Sequence, residues 1–313
     1  MAFQLKPAEH ASKGILRNVR KQLEKAQKHL GTEGDTPRGG NSDAEVVGEV
    51  RKCFKKIRAA LRLVREELGE DRYHEENYYF RDAARPLTQV RDAGILVETA
   101  DQLRDQYPGA ISPAAFAQIR HALLANQHEV RRRVLEEHQA LATARDAAAR
   151  ALARILDLQL ERDGWAALED GIRRVYRAGH RALARAAESS SVEHLHEWRK
   201  QTKYLWHQLQ LLELTLTGPE KELVNATHQL STLLGQDHDL AVLHQTLAAD
   251  PTAYGGHRVL KGVLFLIDRR RHDLEKQAFA LGRVVYQDSP CVFTRRIEAS
   301  MNHEDSHAEC REA

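Results

Sequence analysis

Residues 51 to 65 read Arg51-Lys-Cys-Phe-Lys-Lys-Ile-Arg-Ala-Ala-Leu-Arg-Leu-Val-Arg65, with seven cations and no acid. Apolar residues run through this stretch and beyond it at alternating spacings of three and four: Val47, Val50, Phe54, Ile57, Leu61, Val64 and Leu68. Such spacing is typical of a helix that packs one face in a bundle. Five cations repeat one position later, about 100° around the helix: Arg51, Lys55, Arg58, Arg62 and Arg65. This row flanks the buried face, where a neighbouring helix can make it the wall of a groove.

The composition favours an all-α protein. The chain has 313 residues, which is enough for one large domain or two moderate ones. Aromatic residues make up 6% and charged residues 29%, and Ala, Leu, Arg, Glu and Gln dominate the long segments. The formal net charge of +2 is small, but the positive charge is concentrated locally.

Breaks at Gly, Pro and polar clusters divide the chain into long segments with no competing strand pattern. The predicted helices span residues 12–30, 43–68, 73–104, 113–160, 165–188, 191–216, 219–248 and 254–283.

The cysteines and the hydropathy pattern indicate a soluble protein of a reducing cytoplasm. Cys53, Cys291 and Cys310 show no paired spacing, and their odd number argues against a disulfide framework. The N-terminus has no apolar stretch of signal-peptide length, and no apolar run approaches the length of a membrane span. We therefore expect no membrane partner.

An internal repeat appears when residues from 42 onward are laid over residues from 190 onward. Ser42-x-x-Glu45 and Ser190-x-x-Glu193 both read as capping boxes at a helix start. The sequence Arg51-Lys-x-x-Lys55 then falls on Arg199-Lys-x-x-Lys203 at the same offset. Farther on, Arg91-Asp92 lies near His238-Asp239, and the arginine triplet 131–133 has a partner in the triplet 269–271.

Four helices thus occur twice, and two pseudo-symmetric four-helix halves are the simplest architecture. We place the halves at residues 1–160 and 161–290 of a single domain, followed by a polar tail at 302–313. If the halves pack about a pseudo-twofold axis, the two basic helices face one another.

The second basic row has the chemistry of a phosphate site. It reads His196, Arg199, Lys203 and Trp206, with Lys200 and His207 one step around the helix. Successive members lie about 5–6 Å apart along the axis and can contact successive charges of an extended polyanion. Arginine donates two parallel hydrogen bonds to phosphoryl oxygens, lysine supplies a mobile charge, and histidine adds a pH-dependent donor.

The segment His196-Glu-Trp-Arg-Lys-Gln-Thr-Lys-Tyr-Leu-Trp-His207 resembles the signature helix of the CHAD family, the conserved histidine α-helical domain. Residues 48–58 are similar to the first copy of that helix, and the resemblance covers nearly the whole chain. It includes a strand-like opening at Phe3-Gln-Leu-Lys-Pro7, the segment Arg81 to Asp92, and both arginine triplets.

The resemblance implies two pseudo-symmetric four-helix bundles around a central basic groove that binds inorganic polyphosphate, in association with polyphosphate granules. It implies no catalytic activity, cofactor or metal. Its principal ligands are Arg51, Lys52, Lys55, Arg58, His196, Arg199, Lys200 and Lys203. Further candidates are Arg17, Arg62, Arg81, Arg85, Arg91, Arg132, His207, His238 and Arg270. Gly48 stands where the family's first copy has its histidine, so a charge-based groove is favoured over a symmetric histidine pair.

Two other functions remain open from the sequence. A nucleic-acid-binding protein would also carry basic helical stripes, although Tyr204 and Trp206 are the few aromatic residues beside them and no base-reading motif is present. An enzyme would use histidines to hold a metal or accept phosphate. The pattern His303-x-x-x-His307-x-x-Cys310 has metal-ligand spacing but lies in the polar tail. No phosphate loop or nucleophile elbow occurs in the sequence.

Overall fold

The computed structural model describes residues 3–7, 9–31, 41–156 and 158–309, with the side chains of 41, 42, 156 and 302–309 left aside. Within these ranges every regular element is a helix, which confirms the all-α prediction. The first half comprises α1 (Ala11–Leu30), α2 (Asn41–Leu63), the single turn α3 (Arg65–Leu68), α4 (Glu70–Gln106), α5 (Pro113–Arg131) and α6 (Ala140–Leu156). The second half comprises α7 (Glu169–Glu188), α8 (Val192–Leu212), α9 (Gly218–Ala249), α10 (His257–Val285) and α11 (Pro290–Glu309).

The two halves repeat one packing scheme. Helix α2 packs between α1 and α4, and α8 packs in the same way between α7 and α9. Helix α4 also packs against α5, and α9 packs against α10, in each case the next helix of the same half. Helix α6 covers α1, and α11 covers α7. Each half is therefore a four-helix unit with one additional helix. The halves meet where α2 contacts α8 and α4 contacts α9, so the two basic helices face one another.

The apolar faces of the repeated helices build the larger of two hydrophobic cores. Val50, Phe54 and Ile57 of α2 are fully buried, and so are Trp198 and Leu205 of α8, as their spacing predicts. A second, smaller core lies where the C-terminal halves of α4 and α9 pack against α5 and α10. Helices α4 and α9 run through both cores and contact each other at the junction of the halves.

The structure corrects three details of the predicted elements. The helix predicted over 113–160 is interrupted by a π-helical segment, Arg132–Glu137, and by Gln139, whose φ of 49° ends the helix. The cap of α8 is Ser191 and not Ser190, because the Ser191 hydroxyl accepts from the His194 amide at 3.2 Å. The opening segment forms no strand: Phe3 and Leu5 are buried, and the Leu5 N–H donates to the Leu211 carbonyl at 2.7 Å.

The polar tail predicted at 302–313 begins inside α11, which continues to Glu309. Residues 310–313 and the Ser42 side chain lie outside the described part of the chain. Among the described helices, none combines the length and apolar character that a membrane span requires.

Candidate functional site

Four cations from the two basic helices converge where α2 meets α8. They are Arg51 and Lys55 of α2 and Arg199 and Lys203 of α8, and we call them the basic cluster. Their proximity is evident at Lys55, whose pKa is lowered by burial and then by the charges of Arg51, Lys203 and Arg199. The cluster therefore combines equivalent residues of the two repeats, which lie 148 positions apart in the chain (51 and 199, 55 and 203).

Both lysines of the basic cluster are perturbed strongly. Burial and the neighbouring cations lower the pKa of Lys55 to about 7. Burial, and next the charge of Arg199, lowers the pKa of Lys203 to about 8. Burial disfavours the charged form of an amine, and a nearby like charge adds to this effect. Both ammonium groups therefore lie where water stabilises a positive charge less than it does at the protein surface.

The arginines of the basic cluster have unused donors. The side chain of Arg51 is only 10% exposed, and the nearest carboxylate oxygen to it, on Asp92, lies 3.8 Å from Nη2. The Nε atoms of Arg51 and Arg199 are both buried without a hydrogen-bond partner. Among the described residues, the side chains of Lys55, Arg199 and Lys203 form no ion pair or hydrogen bond. Buried donors without partners are costly, so the arrangement suits an anion.

Two aspartates, Asp92 of α4 and Asp239 of α9, partly balance the basic cluster. Both charges act on Arg199 and raise its pKa, against the larger lowering effect of burial. Burial also raises the pKa of Asp239, against the effect of Arg199. The spacing within the basic rows does not indicate these acids, because they lie on other helices. The repeat contained a signal, because Arg91-Asp92 and His238-Asp239 lie 147 positions apart, within one position of the offset of 148 between the basic rows.

Beyond Lys55, the next two arginines of the basic row on α2 contact an amide side chain and a tyrosine ring. Arg58 Nε donates to Asn77 Oδ1 of α4 at 2.9 Å, and burial lowers the pKa of this guanidinium. The Arg62 guanidinium lies over the Tyr204 ring, 3.7 Å from its centroid. Arg81 contributes to the same region, since its charge lowers the pKa of Arg58 further. These contacts extend the basic row along α2 and fix the orientation of its arginines.

Three predicted histidines lie near the basic cluster in low-pKa environments. The Nδ1 atoms of His196 and His238 are 3.4 Å apart. Burial and the charge of Arg199 lower the pKa of His238 to about 4, and the same two causes lower that of His196. Burial lowers the pKa of His207 to about 3. His207 and His238 are therefore neutral at pH 7. A neutral imidazole can donate and accept hydrogen bonds, but it adds no positive charge.

Several predicted ligands use their charge elsewhere. Lys52 is 70% exposed and pairs with Glu49 at 2.8 Å, and Lys200 pairs with Glu197. Arg91 pairs with Glu98 at 3.2 Å, although its charge still reaches Lys203 and Asp239. The remaining arginines are distributed as follows: Arg17 binds Glu9 and the Gln4 carbonyl, Arg81 and Arg85 lie beside Asp82, and Arg132 pairs with Glu129 and Glu137.

Arg270 lies in a neighbouring cavity. This cavity has a volume of about 380 Å³, is bounded by α4, α9 and α10, and shares Asp239 with the basic cluster. Of the arginine triplet 269–271, Arg271 pairs with the buried Asp237 at 2.9 Å. The structure thus places this triplet behind α9 and not among the four cations of the cluster.

In the described part of the chain, no group of three or more His, Cys, Asp or Glu side chains has the arrangement of a metal site. The predicted His303, His307 and Cys310 pattern lies outside the described side chains.

The fold and the site define an internally repeated helical domain with a cation cluster between its halves. The family model of the CHAD domain matches residues 17–248 of the chain, so the chain belongs to the CHAD family. Its structure is similar to the crystal structure of the CHAD domain from the plant Ricinus communis, with a TM-score of 0.55. The two chains are 16% identical, and the similarity covers 92% of this chain and 93% of the plant domain. No curated protein sequence matches the chain significantly.

Proposed function

We propose that this chain binds inorganic polyphosphate through the basic cluster and catalyses no reaction itself. The observation that carries the proposal is the convergence of Arg51, Lys55, Arg199 and Lys203 with two strongly lowered lysine pKa values. An anion bound there would accept hydrogen bonds from the unpartnered arginine donors. It would also offset the repulsion between the two lysines. The chain's membership of the CHAD family, which is associated with polyphosphate binding, supports the same ligand.

A long phosphate chain suits this site better than a single phosphate. The cations form a row that continues from the basic cluster to Arg58 and Arg62. A polymer carries one charge per phosphoryl unit and can satisfy successive arginine forks and ammonium groups. A single phosphate would occupy only one part of the row.

The test compares two double variants with equal changes in net charge. Lys55→Glu/Lys203→Glu reverses both lysines of the basic cluster. The control, Lys28→Glu/Lys261→Glu, reverses two exposed lysines on the outer helices α1 and α10. We expect the cluster variant to lose at least about 100-fold in affinity for long-chain polyphosphate, because each lost charged contact contributes about 1.5–3 kcal/mol. The control should keep its affinity within a few-fold. Unchanged affinity in a folded cluster variant would refute the site.

We also propose that the protein associates with polyphosphate granules. A fluorescent fusion of the wild-type chain should collect at granules, whereas the fusion of Lys55→Glu/Lys203→Glu should be dispersed.

Incubation of polyphosphate with the protein and divalent metals should release no phosphate. Sustained release that is abolished by His196→Ala would instead establish an enzyme. Competition with duplex DNA tests the nucleic-acid alternative. If DNA displaces bound polyphosphate at a comparable phosphate concentration, the site is not selective for polyphosphate.

A further inference from the structure

Helix α7 carries a second concentration of positive charge, outside the basic cluster. Residues 171–187 contain five arginines and no acid. Three of them, Arg177, Arg181 and Arg185, follow one another at intervals of four, so they share one face of the helix and lie about 6 Å apart along its axis. All three residues are exposed. We call them the α7 row.

The side chains of the α7 row have no partners in the described part of the chain, where none of them forms an ion pair or a hydrogen bond. The two arginines that precede the row on the same helix are different. Arg173 pairs with Glu169, and Arg174 pairs with Glu66. Helix α7 therefore pairs its first arginines with acids and leaves the next three open to solvent.

Helix stability does not account for the whole α7 row. Arg185 lies in the last turn, where the helix dipole favours a cation, but Arg177 and Arg181 lie too far from that end to benefit. Like charges four residues apart on a helix repel one another. A bound anion that contacts neighbouring arginines would offset this repulsion.

The α7 row begins near the end of the basic row of α2. The two helices meet closely, since a Cβ atom on Gly171 would overlap the Leu63 carbonyl oxygen. Arg174 lies between the rows: burial lowers its pKa, and the charges of Arg65 and Arg177 lower it further. The acids of this junction pair with Arg65 and Arg174, so the unpaired charge lies farther along, in the α7 row.

We propose that the α7 row is a second polyphosphate-binding surface, which holds the part of a long chain that extends beyond the basic cluster. This inference rests on the proposed function, because the same polymer occupies the cluster. Each arginine can donate two parallel hydrogen bonds to phosphoryl oxygens, and a polymer with a charge on every unit can contact all three. Helix α2 rises about 12 Å from Lys55 to Leu63. Tripolyphosphate in the cluster would therefore stay short of the row, whereas a long chain would reach it.

The experiment measures the binding of long-chain polyphosphate and of tripolyphosphate to two triple variants that lose equal charge. Arg177→Gln/Arg181→Gln/Arg185→Gln, the α7 variant, removes the row. The control, Arg20→Gln/Arg150→Gln/Arg258→Gln, removes exposed arginines of α1, α6 and α10. Titrations at several salt concentrations give the affinity and its salt dependence.

We expect the α7 variant to bind long-chain polyphosphate about tenfold more weakly than the wild type, because it loses the contacts that a long chain adds. Its salt dependence should be shallower by about 2 in logarithmic slope, since three contacts each displace about 0.7 counterion. Its affinity for tripolyphosphate should equal that of the wild type. The control should bind both ligands within a few-fold of the wild type.

The outcomes separate this inference from the proposed function. If the α7 variant binds long chains as tightly as the control while Lys55→Glu/Lys203→Glu does not, the second surface is refuted and the proposed function stands. Equal losses for tripolyphosphate and long chains would also refute an extension of the site. If the wild-type chain binds neither ligand, both proposals fail.

A last comparison uses a single-stranded RNA oligonucleotide. If the α7 variant loses affinity for RNA but keeps its affinity for long-chain polyphosphate, the α7 row serves nucleic acid and the proposal is wrong. Circular dichroism of each variant checks that the chain is folded.

Discussion

Lys55 and Lys203 are the most informative residues of the chain, because they are cations that burial and like charges disfavour. Their lowered pKa values have the same physical origin, since each ammonium group is desolvated and faces the cations of the other repeat. An uncompensated buried charge destabilises a folded protein. Asp92 and Asp239 balance these charges only in part, so the basic cluster is a local source of instability that a bound anion would offset.

This instability predicts a specific dependence on pH. Below about pH 7 both lysines are protonated in the folded and unfolded chains, so the repulsion acts in full on the folded state. Between about pH 7 and 10.4 the folded chain loses these protons before the unfolded chain does, and stability rises. We expect Lys55→Met/Lys203→Met to be more stable than the wild type at pH 7 and to lose that advantage towards pH 10. Urea denaturation at several pH values measures the difference.

The same lysines predict proton uptake when polyphosphate binds. An anion raises the pKa of a neighbouring ammonium group, so at pH 8 the complex should hold more protons than the free chain. Calorimetric titrations in buffers of different ionisation enthalpy detect this uptake. The Lys28→Glu/Lys261→Glu variant should show the wild-type uptake. Equal heats in all buffers at pH 8 would contradict the assignment of Lys55 and Lys203 to the ligand site.

At the residue scale, the sequence distinguished the site from its surroundings only in part. The spacing of Arg51 and Lys55 places them beside the apolar seam, where the structure shows Arg51 buried and Lys55 half-buried. The prediction treated Lys52 as their equal, but Lys52 pairs with Glu49 on another side of α2. Glu49 lies three residues before Lys52 on the same helix, so this pair follows from an i,i+3 spacing that the prediction did not use. Arg17 pairs with Glu9 of the segment that precedes α1, whose path the sequence did not predict.

At the scale of helices, hydrophobic spacing predicted which faces are buried but not every end. The predicted seam is buried from Val47 to Val64, although α2 ends at Leu63. The continuous helix predicted over 113–160 was wrong because its sequence contains no proline or glycine at the break, where Gln139 adopts a positive φ. A residue other than glycine pays a steric cost in that conformation, and tertiary packing must supply the compensation.

Two glycines in helices give a matched test of helix packing. A Cβ atom on Gly171 of α7 would lie 1.9 Å from the Leu63 carbonyl oxygen of α2, whereas a Cβ on Gly48 of α2 would meet nothing within 4 Å. We expect Gly171→Ala to lower the free energy of unfolding by about 1–3 kcal/mol through overpacking. Gly48→Ala should raise it by up to about 1 kcal/mol, because alanine favours helix over glycine. Urea denaturation at constant pH compares the two, and equal effects would contradict the close approach of α2 and α7.

At the scale of the whole molecule, the repeat in the sequence predicted two similar halves. It did not determine which helices form the junction, because equivalent segments can pack in several relative orientations. The structure resolves this point through the contacts of α2 with α8 and of α4 with α9. These contacts bring Arg51 and Lys55 beside Arg199 and Lys203, so neither half holds the complete site.

A site shared between the halves predicts how binding depends on salt and on polymer length. Four cations that each displace about 0.7 counterion, as for single-stranded polyanions, give a slope of about −3 for the logarithm of affinity against the logarithm of salt concentration. Lys55→Glu/Lys203→Glu should make the slope shallower, whereas Lys28→Glu/Lys261→Glu should not. Affinity should also increase from tripolyphosphate to long chains, since a longer polymer reaches both halves and the arginines beyond Lys55. Titrations at several salt concentrations and chain lengths measure both effects. An affinity that ignores length would mean that one half binds alone, against the shared basic cluster.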